Sequence, residues 1–422
     1  MLGYQSLYDK LSEGLTPDLN LDVDEWADRF QVIPKSSGSQ EYGPYRTSRT
    51  PHARMIMKCL SDDHSCKTVV AMVASQMMKT QIAMNWFGAT VHQSPSNFLW
   101  LMPTGALAKR LSARVDKVIK AVDVLRERVA KPNSRDAKNT QEVKEYIGGT
   151  LFMPTAGSAA NLAEVPARRV AIDELDRCDA NVDQEGDPVK LAEARQTTFE
   201  HNKKSYYYSS PTIDGESRIQ SLYKQGTQRY AMAECIHCGH AQDLLFENLV
   251  IVDGEARYPC VECGGLHKES DKSAMFKNGL WSEPVINSTT ESFTASAMFL
   301  PYGWLSWTGL HKQYTDAKVL LDLGDDSEMI VFYNTRLARC WDRATETTQA
   351  STLMARSEDY RLGTVPLPVT VLTAAIDTQG DRLEVKVVGW ADQMECWIVD
   401  YRVINSDPSD EATWKQAFDL LT

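Results

Sequence analysis

The stretch Thr68-Val69-Val70-Ala71-Met72-Val73-Ala74-Ser75-Gln76-Met77-Met78-Lys79-Thr80 decides the fold. An apolar run of strand length gives way to a short polar turn, and a helical pattern follows from Met78 to Gln93. Strand, turn and helix in this order open a nucleotide-binding unit whose phosphate loop reads GxxxxGK[ST]. Lys79 and Thr80 stand where that loop places its phosphate-binding lysine and its Mg²⁺-binding hydroxyl. Val73 and Met78 occupy the two glycine places. Alone, the match does not separate a phosphate loop from an ordinary helix start, where a Lys-Thr pair is common.

The flanking sequence repeats the rhythm. Asn97–Met102 is apolar and precedes a helical run from Ala106 to Ala130; Thr150–Met153, Val170–Ile172 and Ser205–Ser209 follow. Strands alternating with helices imply an α/β fold, a parallel sheet covered on both faces. Ligands then bind beyond the carboxyl ends of the strands. One such end, Arg169-Val170-Ala171-Ile172-Asp173-Glu174, carries two carboxylates. In a nucleotide hydrolase the first holds Mg²⁺ and the second polarises the attacking water. The next strand ends in Ser209-Ser210-Pro211-Thr212, small hydroxyl residues suited to sensing a nucleotide and passing its state to a moving part.

Nine cysteines with no basic-then-apolar leader fit a reducing compartment rather than a disulfide scaffold. Four form two CxxCG units, Cys235-Ile236-His237-Cys238-Gly239 and Cys260-Val261-Glu262-Cys263-Gly264, with 21 residues between the pairs. Two such turns place four thiolates around one Zn²⁺, and four protein ligands leave no open position, so the site is expected to be structural. His237, His240 and His267 are expected to be bystanders.

At the other end of the chain, Thr370–Ile376, Arg382–Trp390 and Glu395–Ile404 read as three strands of an antiparallel meander behind a linker at Gly363–Pro368. Asp377 and Asp381 follow the first of them, where two-metal nucleases of the RNase H type place an Mg²⁺ ligand; a turn aspartate is the plainer alternative. Near the N-terminus, Trp26 and Phe30 share one face of an amphipathic segment, which fits either a helix packed on its own domain or one that binds a partner.

Composition excludes several classes. With 43% hydrophobic and 24% charged residues the chain is not disordered. The apolar run Val69–Ala74 is far short of the ~20 residues of a membrane span. A net charge of −12 argues against a uniformly basic nucleic-acid coat. Yet residues 104–140 hold ten Lys/Arg (109, 110, 114, 117, 120, 126, 128, 131, 135 and 138) against four acids, a local surface that can track a phosphate backbone.

In this order the pieces resemble the large terminase subunit of tailed bacteriophages, in particular its lambda-type, GpA-like family, from about residue 25 to 415. The carrying segments are Trp26-Ala27-Asp28-Arg29, Ser75–Thr80, Asp173-Glu174-Leu175-Asp176-Arg177, Ser209-Ser210-Pro211 and the paired CxxCG. They continue with Gly279-Leu280-Trp281, Phe332–Leu337 with Trp341, and Ala375–Arg382.

The resemblance implies a P-loop (ASCE-type) parallel-sheet ATPase with an inserted zinc ribbon, followed by the start of an RNase H-like nuclease domain. The expected division is 1–40 (N-terminal segment, small-subunit contact), 41–229 (ATPase), 230–285 (zinc-ribbon insert), 286–365 (remainder of the ATPase or lid, and linker) and 366–422 (truncated RNase H-like nuclease). It implies an ATP-driven motor in the host cytoplasm that moves double-stranded viral DNA into a procapsid. Implied partners are the terminase small subunit, the portal protein and further copies of itself in a ring, with no membrane. By the same resemblance Ser75, Gln76, Met77, Met78, Lys79 and Thr80 bind ATP. Thr80 and Asp173 hold Mg²⁺, Glu174 activates water, Ser209–Thr212 couple hydrolysis to movement, and Asp377 with Asp381 hold the nuclease Mg²⁺.

Family members keep a Gly where Met78 stands, and a Cβ there resists positive φ. The family's nuclease also uses acids on later strands. Because the sequence stops at Thr422, 45 residues past Asp377, a shortened nuclease domain with little or no cleavage is expected, and no ligand role is carried onto Asp400. The arginine finger stays open among Arg110, Arg114, Arg168 and Arg169, and His52 is put forward as an adenine contact from its place upstream of the loop. Two other functions fit the residues: a helicase-like DNA translocase with a zinc ribbon, and a non-catalytic zinc-ribbon adaptor. The Asp377 meander argues against the first and the Asp173-Glu174 pair against the second.

Overall fold

Eight strands form the sheet that carries the site: β1 (Thr68–Val73), β2 (Phe98–Leu101), β3 (Val143–Tyr146), β4 (Gly149–Phe152), β5 (Arg169–Asp173), β6 (Lys204–Ser209), β7 (Arg229–Tyr230) and, beyond an insert, β13 (Thr290–Ala295). Their spatial order is β3-β4-β2-β5-β6-β1-β13-β7. All neighbours are parallel except the β3–β4 hairpin. The structure is a computed structural model, and it describes residues 20–129, 139–157, 166–179, 181–182, 185–342, 360–392 and 395–421. The chain divides into two units, Met1–Arg343 and Ala344–Thr422.

Strand periodicity sorts the core into two layers. Val69, Ala71 and Val73 of β1 join Phe98, Trp100, Tyr206 and Tyr208 on one face. Val70 and Met72 join Leu99, Val170, Ile172 and Tyr207 on the other. Both faces are covered, which is why these strands read as continuous apolar runs. Helices α1 (Val23–Phe30), α2 (Ala53–Cys59), α3 (Lys79–Gln93), α4 (Gly105–Ala121) and α5 (Asp123–Arg128) add residues to the first layer. Helices α6 (Pro188–Ala194) and α7 (Arg218–Gln225) add residues to the second.

Packing decides two points that the sequence left open. The apolar face of α1 is not left for a partner: Trp26 is fully buried, donates to His92 at 3.0 Å, and lies against Gly88 of α3. A Cβ on Gly88 would come within 2.2 Å of that indole, so only glycine admits the contact. And residues 286–365, expected to hold the remainder of the ATPase with its lid and linker, begin with β13, which pairs along the whole of β1 and so continues the large sheet. That strand, Thr290-Glu291-Ser292-Phe293-Thr294-Ala295, is too polar to stand out by hydrophobicity. Its polar side chains are satisfied locally instead: Ser292 Oγ donates to the Tyr223 carbonyl (2.9 Å), and Glu291 accepts from Arg229 (3.0 Å) and Thr227 (3.0 Å).

The insert leaves the sheet after β7 and returns at an antiparallel bridge between Ala231 and Trp281. It contains β8 (Ala233–Glu234), β9 (Ala241–Gln242), β10 (Val250–Val252), β11 (Glu255–Pro259) and β12 (Leu266–His267). After β13 come α8 (Trp307–Asp322), α9 (Ser327–Phe332) and one π-helical segment, Tyr333–Leu337. The second unit is the expected meander, β14 (Val371–Thr378), β15 (Leu383–Trp390) and β16 (Cys396–Ile404), all antiparallel, followed by α10 (Glu411–Leu421). Leu383, Val385, Ile404 and Ala417 form its small core. No helix of the described residues is long and apolar enough to cross a membrane.

Candidate nucleotide cleft and metal centres

The carboxyl ends of β1, β5 and β6 lie side by side and bring together Lys79, Thr80, Asp173, Glu174 and Ser210. The Lys79 ammonium donates to Ser210 Oγ at 2.8 Å and to the Val73 carbonyl at 3.4 Å, and pairs with Glu174 Oε1 at 3.4 Å. Thr80 Oγ1 donates to Asp173 Oδ2 at 3.4 Å. Burial, with the Glu174 charge beside it, pushes the Asp173 carboxyl up to about 6, while burial lowers the Lys79 ammonium. Two carboxylates thus share one buried lysine. A small divalent cation between the Thr80 hydroxyl and Asp173 fits this shortage of positive charge.

The loop itself is strained. Gln76 (φ 65°) and Met78 (φ 56°) both lie in the left-handed region, and so does Glu174 (φ 47°). Met78 therefore adopts the conformation that the family's glycine adopts freely, at a cost of roughly 1–2 kcal/mol. Met78→Gly is expected to tighten ATP binding several-fold, because the freed backbone can aim its N–H groups at phosphate. Titration with a fluorescent ATP analogue checks this, and unchanged or weaker binding would mean the loop is already correctly set.

Distant segments complete the site. Ser75 N–H donates to the Thr335 carbonyl in the π-helical segment (2.8 Å), and Trp341 N–H donates to the Thr212 carbonyl (3.0 Å). Asp176 accepts from Thr212 Oγ1 (3.0 Å), Ser217 Oγ (2.6 Å) and Ile219 N–H (2.8 Å), so it ties the exit of β5 to the Ser209–Thr212 segment and to α7. Ser209 is buried, with its hydroxyl donating to the Ser210 carbonyl, and Pro211 is buried beside it. Asp176 was legible only as part of a matching segment; nothing in its local pattern marks it as a junction.

A cleft of about 680 Å³ opens above the loop. Ser75, Gln76, Met78, Lys79, Thr80 and Glu174 line one wall; Pro34, Tyr42, Arg46, Arg49 and Trp304 line the other. Met77 is not on that wall but buried in the core. His52 is also elsewhere: it is 2% exposed, boxed by Phe276, Trp281 and Phe299, bonded to the Met232 carbonyl at 3.0 Å, and burial lowers it to about 4. It cannot touch adenine from there.

Among the four arginines, only Arg114 lines the cleft, donating to Gln81 Oε1 at 2.9 Å. Arg169 is buried and locked to Asp62 by two 2.8 Å contacts, and Arg168 pairs with the same aspartate at 3.1 Å. Of the basic stretch, Lys109, Arg110 and Lys120 are exposed on α4, while Lys131, Arg135 and Lys138 lie outside the described residues.

In the insert, the Sγ atoms of Cys235 and Cys263 are 3.8 Å apart, as are those of Cys238 and Cys260, and all four lie within 4.8 Å of one another. These distances are too long for disulfides and match the edge of a tetrahedron with bonds of about 2.3 Å, which is ~3.8 Å. The two knuckles repeat each other: Gly239 N–H donates to the Cys235 carbonyl and Gly264 N–H to the Cys260 carbonyl, both at 2.9 Å, with both glycines at positive φ. The donor set fits a tetrahedral soft cation.

In the second unit Asp377 and Asp381 are not drawn into one ligand cluster. Asp381 has a 78% exposed side chain and pairs with Arg382 at 3.0 Å on the turn. The residue directly across the ladder from Asp377 is Glu384, held by Arg382 (2.8 Å) and Tyr401 (2.6 Å). Opposed residues share a face. Glu384 is thus the acid nearest to Asp377 in register, and only the strand pairing reveals it. Among the described residues, no group of three or more potential ligands includes Asp377 or Asp381.

Mostly parallel strands, a phosphate loop on β1, an acidic pair on β5, and β6 standing between them define the fold of a P-loop ATPase of the additional-strand type. The family model described as phage terminase large subunit gpA, ATPase domain, matches residues 39–281, more than half of the chain, and that of the terminase gpA endonuclease domain matches residues 290–422. The chain belongs to the lambda-type gpA family of terminase large subunits.

It is 26% identical to the terminase large subunit of Escherichia phage lambda over 92% of this chain, and 26% identical to that of Enterobacteria phage P21 over the same share. It spans 63% of the length of each. Among solved structures it is similar to the large terminase of bacteriophage HK97 (11% identity, 92% of this chain, 67% of that chain, TM-score 0.47). The endonuclease match begins at β13, inside the first unit, so the family's two regions meet within the large sheet rather than at the boundary between the units.

Proposed function

We propose that this chain is the motor part of a DNA-packaging terminase: it hydrolyses ATP at the Lys79–Thr80–Asp173–Glu174 cleft and uses the cycle to move double-stranded DNA into a procapsid. The observation that carries the reading is the Lys79 ammonium held between Ser210 and Glu174. It is poised to exchange both partners for the phosphates of an arriving nucleotide.

The steps follow from these residues. Lys79 and the loop N–H groups take the β- and γ-phosphates. Mg²⁺, held by Thr80 and Asp173, would neutralise the phosphate oxygens. Glu174, released from Lys79, orients a water and takes its proton as the water oxygen bonds to the γ-phosphorus. The bond from that phosphorus to the bridging oxygen breaks, and ADP leaves with the electron pair. Ser210, losing Lys79, reports occupancy to Ser209–Thr212, which Asp176 links to α7.

The exposed lysines and arginine of α4 are the proposed DNA contact. Arg114 is the residue best placed to act on phosphate. The terminase small subunit, the portal and a ring of copies remain the proposed partners. Zn²⁺ is the proposed occupant of Cys235, Cys238, Cys260 and Cys263. Asp377 is the proposed first nuclease ligand, with Glu384 a better companion than Asp381. The helicase-like and adaptor readings give way to family membership.

Phosphate release measured with and without duplex DNA tests the motor. Wild type is expected to turn over faster with DNA, and Lys79→Ala to lose turnover by about 10²-fold or more, the scale of a lost charge-stabilising group. Equal turnover in the two proteins would remove this cleft as the ATPase site.

A further inference from the structure

One more group of soft ligands is gathered outside the cleft and the insert. Cys59 ends α2, the chain turns through residues 60–65, and Cys66 lies two residues before β1. Within that turn Cys59 Sγ is 3.8 Å from His64 Nε2, and Cys66 Sγ is 3.1 Å from His64 Nδ1. One ligand atom from each of the three residues lies within 4.8 Å of the other two, and both thiols are free and buried.

The backbone of the turn is clamped from behind. Lys204, at the start of β6, is itself 4% exposed and donates to the carbonyls of Cys59 (3.1 Å), His64 (2.8 Å) and Cys66 (2.6 Å). These are the same three residues that carry the donor side chains. Asp62, in the same turn, is fixed by Arg169 and by Ser94 Oγ at 2.7 Å. A turn whose carbonyls converge on one buried ammonium presents its side chains already ordered, so little entropy is lost when they close on a ligand.

We propose that Cys59, His64 and Cys66 form a second soft-metal site that takes Zn²⁺ through two sulfurs and one imidazole nitrogen, with water as the fourth ligand. Thiolate and imidazole are the donors this cation selects, and the short Cys-x4-His-x-Cys spacing allows all three to come from one turn. Binding replaces the two thiol protons, which pass to solvent. The half-buried His64 leaves a path for the cation, while the sulfurs stay screened. The site stands apart from the ribbon and from the cleft, so it does not depend on either reading.

The test is the difference in bound zinc between proteins, by elemental analysis of the full chain loaded with Zn²⁺ and dialysed. Wild type is expected to hold one zinc per chain more than His64→Ala or Cys66→Ala, each checked for folding by circular dichroism. The difference is the same whether or not the ribbon is filled. Identical zinc content in wild type and a folded variant overturns the proposal. X-ray absorption at the zinc edge needs no variant: a Zn–N distance near ~2.0 Å beside Zn–S near ~2.3 Å supports it, and an all-sulfur shell overturns it.

Discussion

Glu174→Gln is expected to lower ATP turnover by about 10²- to 10⁴-fold, the contribution of a positioned general base, while ATP still binds. Glutamine keeps the shape of the side chain but cannot accept the water's proton. Glu174 is also the acid in contact with the Lys79 ammonium, at 3.4 Å. Removing its charge therefore frees Lys79 for phosphate, and the Kd for ATP is expected to hold or fall. Asp173 cannot take over as base: it is buried and bound by the Thr80 hydroxyl at 3.4 Å, on the side where Mg²⁺ fits. Phosphate release and binding of a fluorescent ATP analogue, measured on the same preparation, separate the two effects. Turnover near the wild-type rate would assign the base elsewhere.

Loss of metal from the paired CxxCG turns is expected to have the largest effect on stability. The insert between Ala231 and Trp281 is held by a two-residue strand pair and a small three-stranded sheet, and its buried apolar side chains, Ala233, Leu244, Phe246, Ala256, Tyr258, Met275 and Phe276, belong to the core cluster of the large sheet. Structural zinc in comparable small modules contributes roughly 10–16 kcal/mol of apparent folding free energy. No strand pairing of this size replaces that, and four thiolates cannot stay at 3.8 Å edges without a cation between them.

Cys260→Ser, or strong chelation, is expected to abolish slow hydrogen exchange across residues 232–280 while β1, β5 and β6 stay protected. Exchange read by mass spectrometry, with zinc counted in parallel, checks this. An insert that keeps its protection after the metal is gone would mean that its packing against the core of the large sheet suffices.

The elements most legible in the sequence were those whose signal is local. The apolar run of β1, the Lys79-Thr80 pair behind it, the Asp173-Glu174 pair at the end of β5 and the two CxxCG turns each state their chemistry within a few residues. The meander of the second unit was legible for the same reason: three alternating runs with short connections leave few other ways to pair. Met78 is the instructive case within the loop. Its strain was foreseeable, because a phosphate loop demands positive φ at that place whatever residue fills it, and φ is 56°.

What the sequence by itself determined, then, was the order of strand, loop and acid, and the family those segments place it in. Only the tertiary structure decided which distant residues meet them. β13 enters the sheet beside β1 although four of its six residues are polar, because Ser292 and Glu291 find partners on neighbouring elements. Trp26 is core rather than a partner's handle because Gly88 leaves room for its ring. His52 faces an aromatic box, not the cleft; Arg114, on a helix that reads as a basic surface, turns into it; Thr335, some 260 residues from Ser75, receives its N–H. Periodicity and short motifs report what a residue needs along its own chain. Which polar group satisfies another across the fold is set by packing, and no local pattern encodes that.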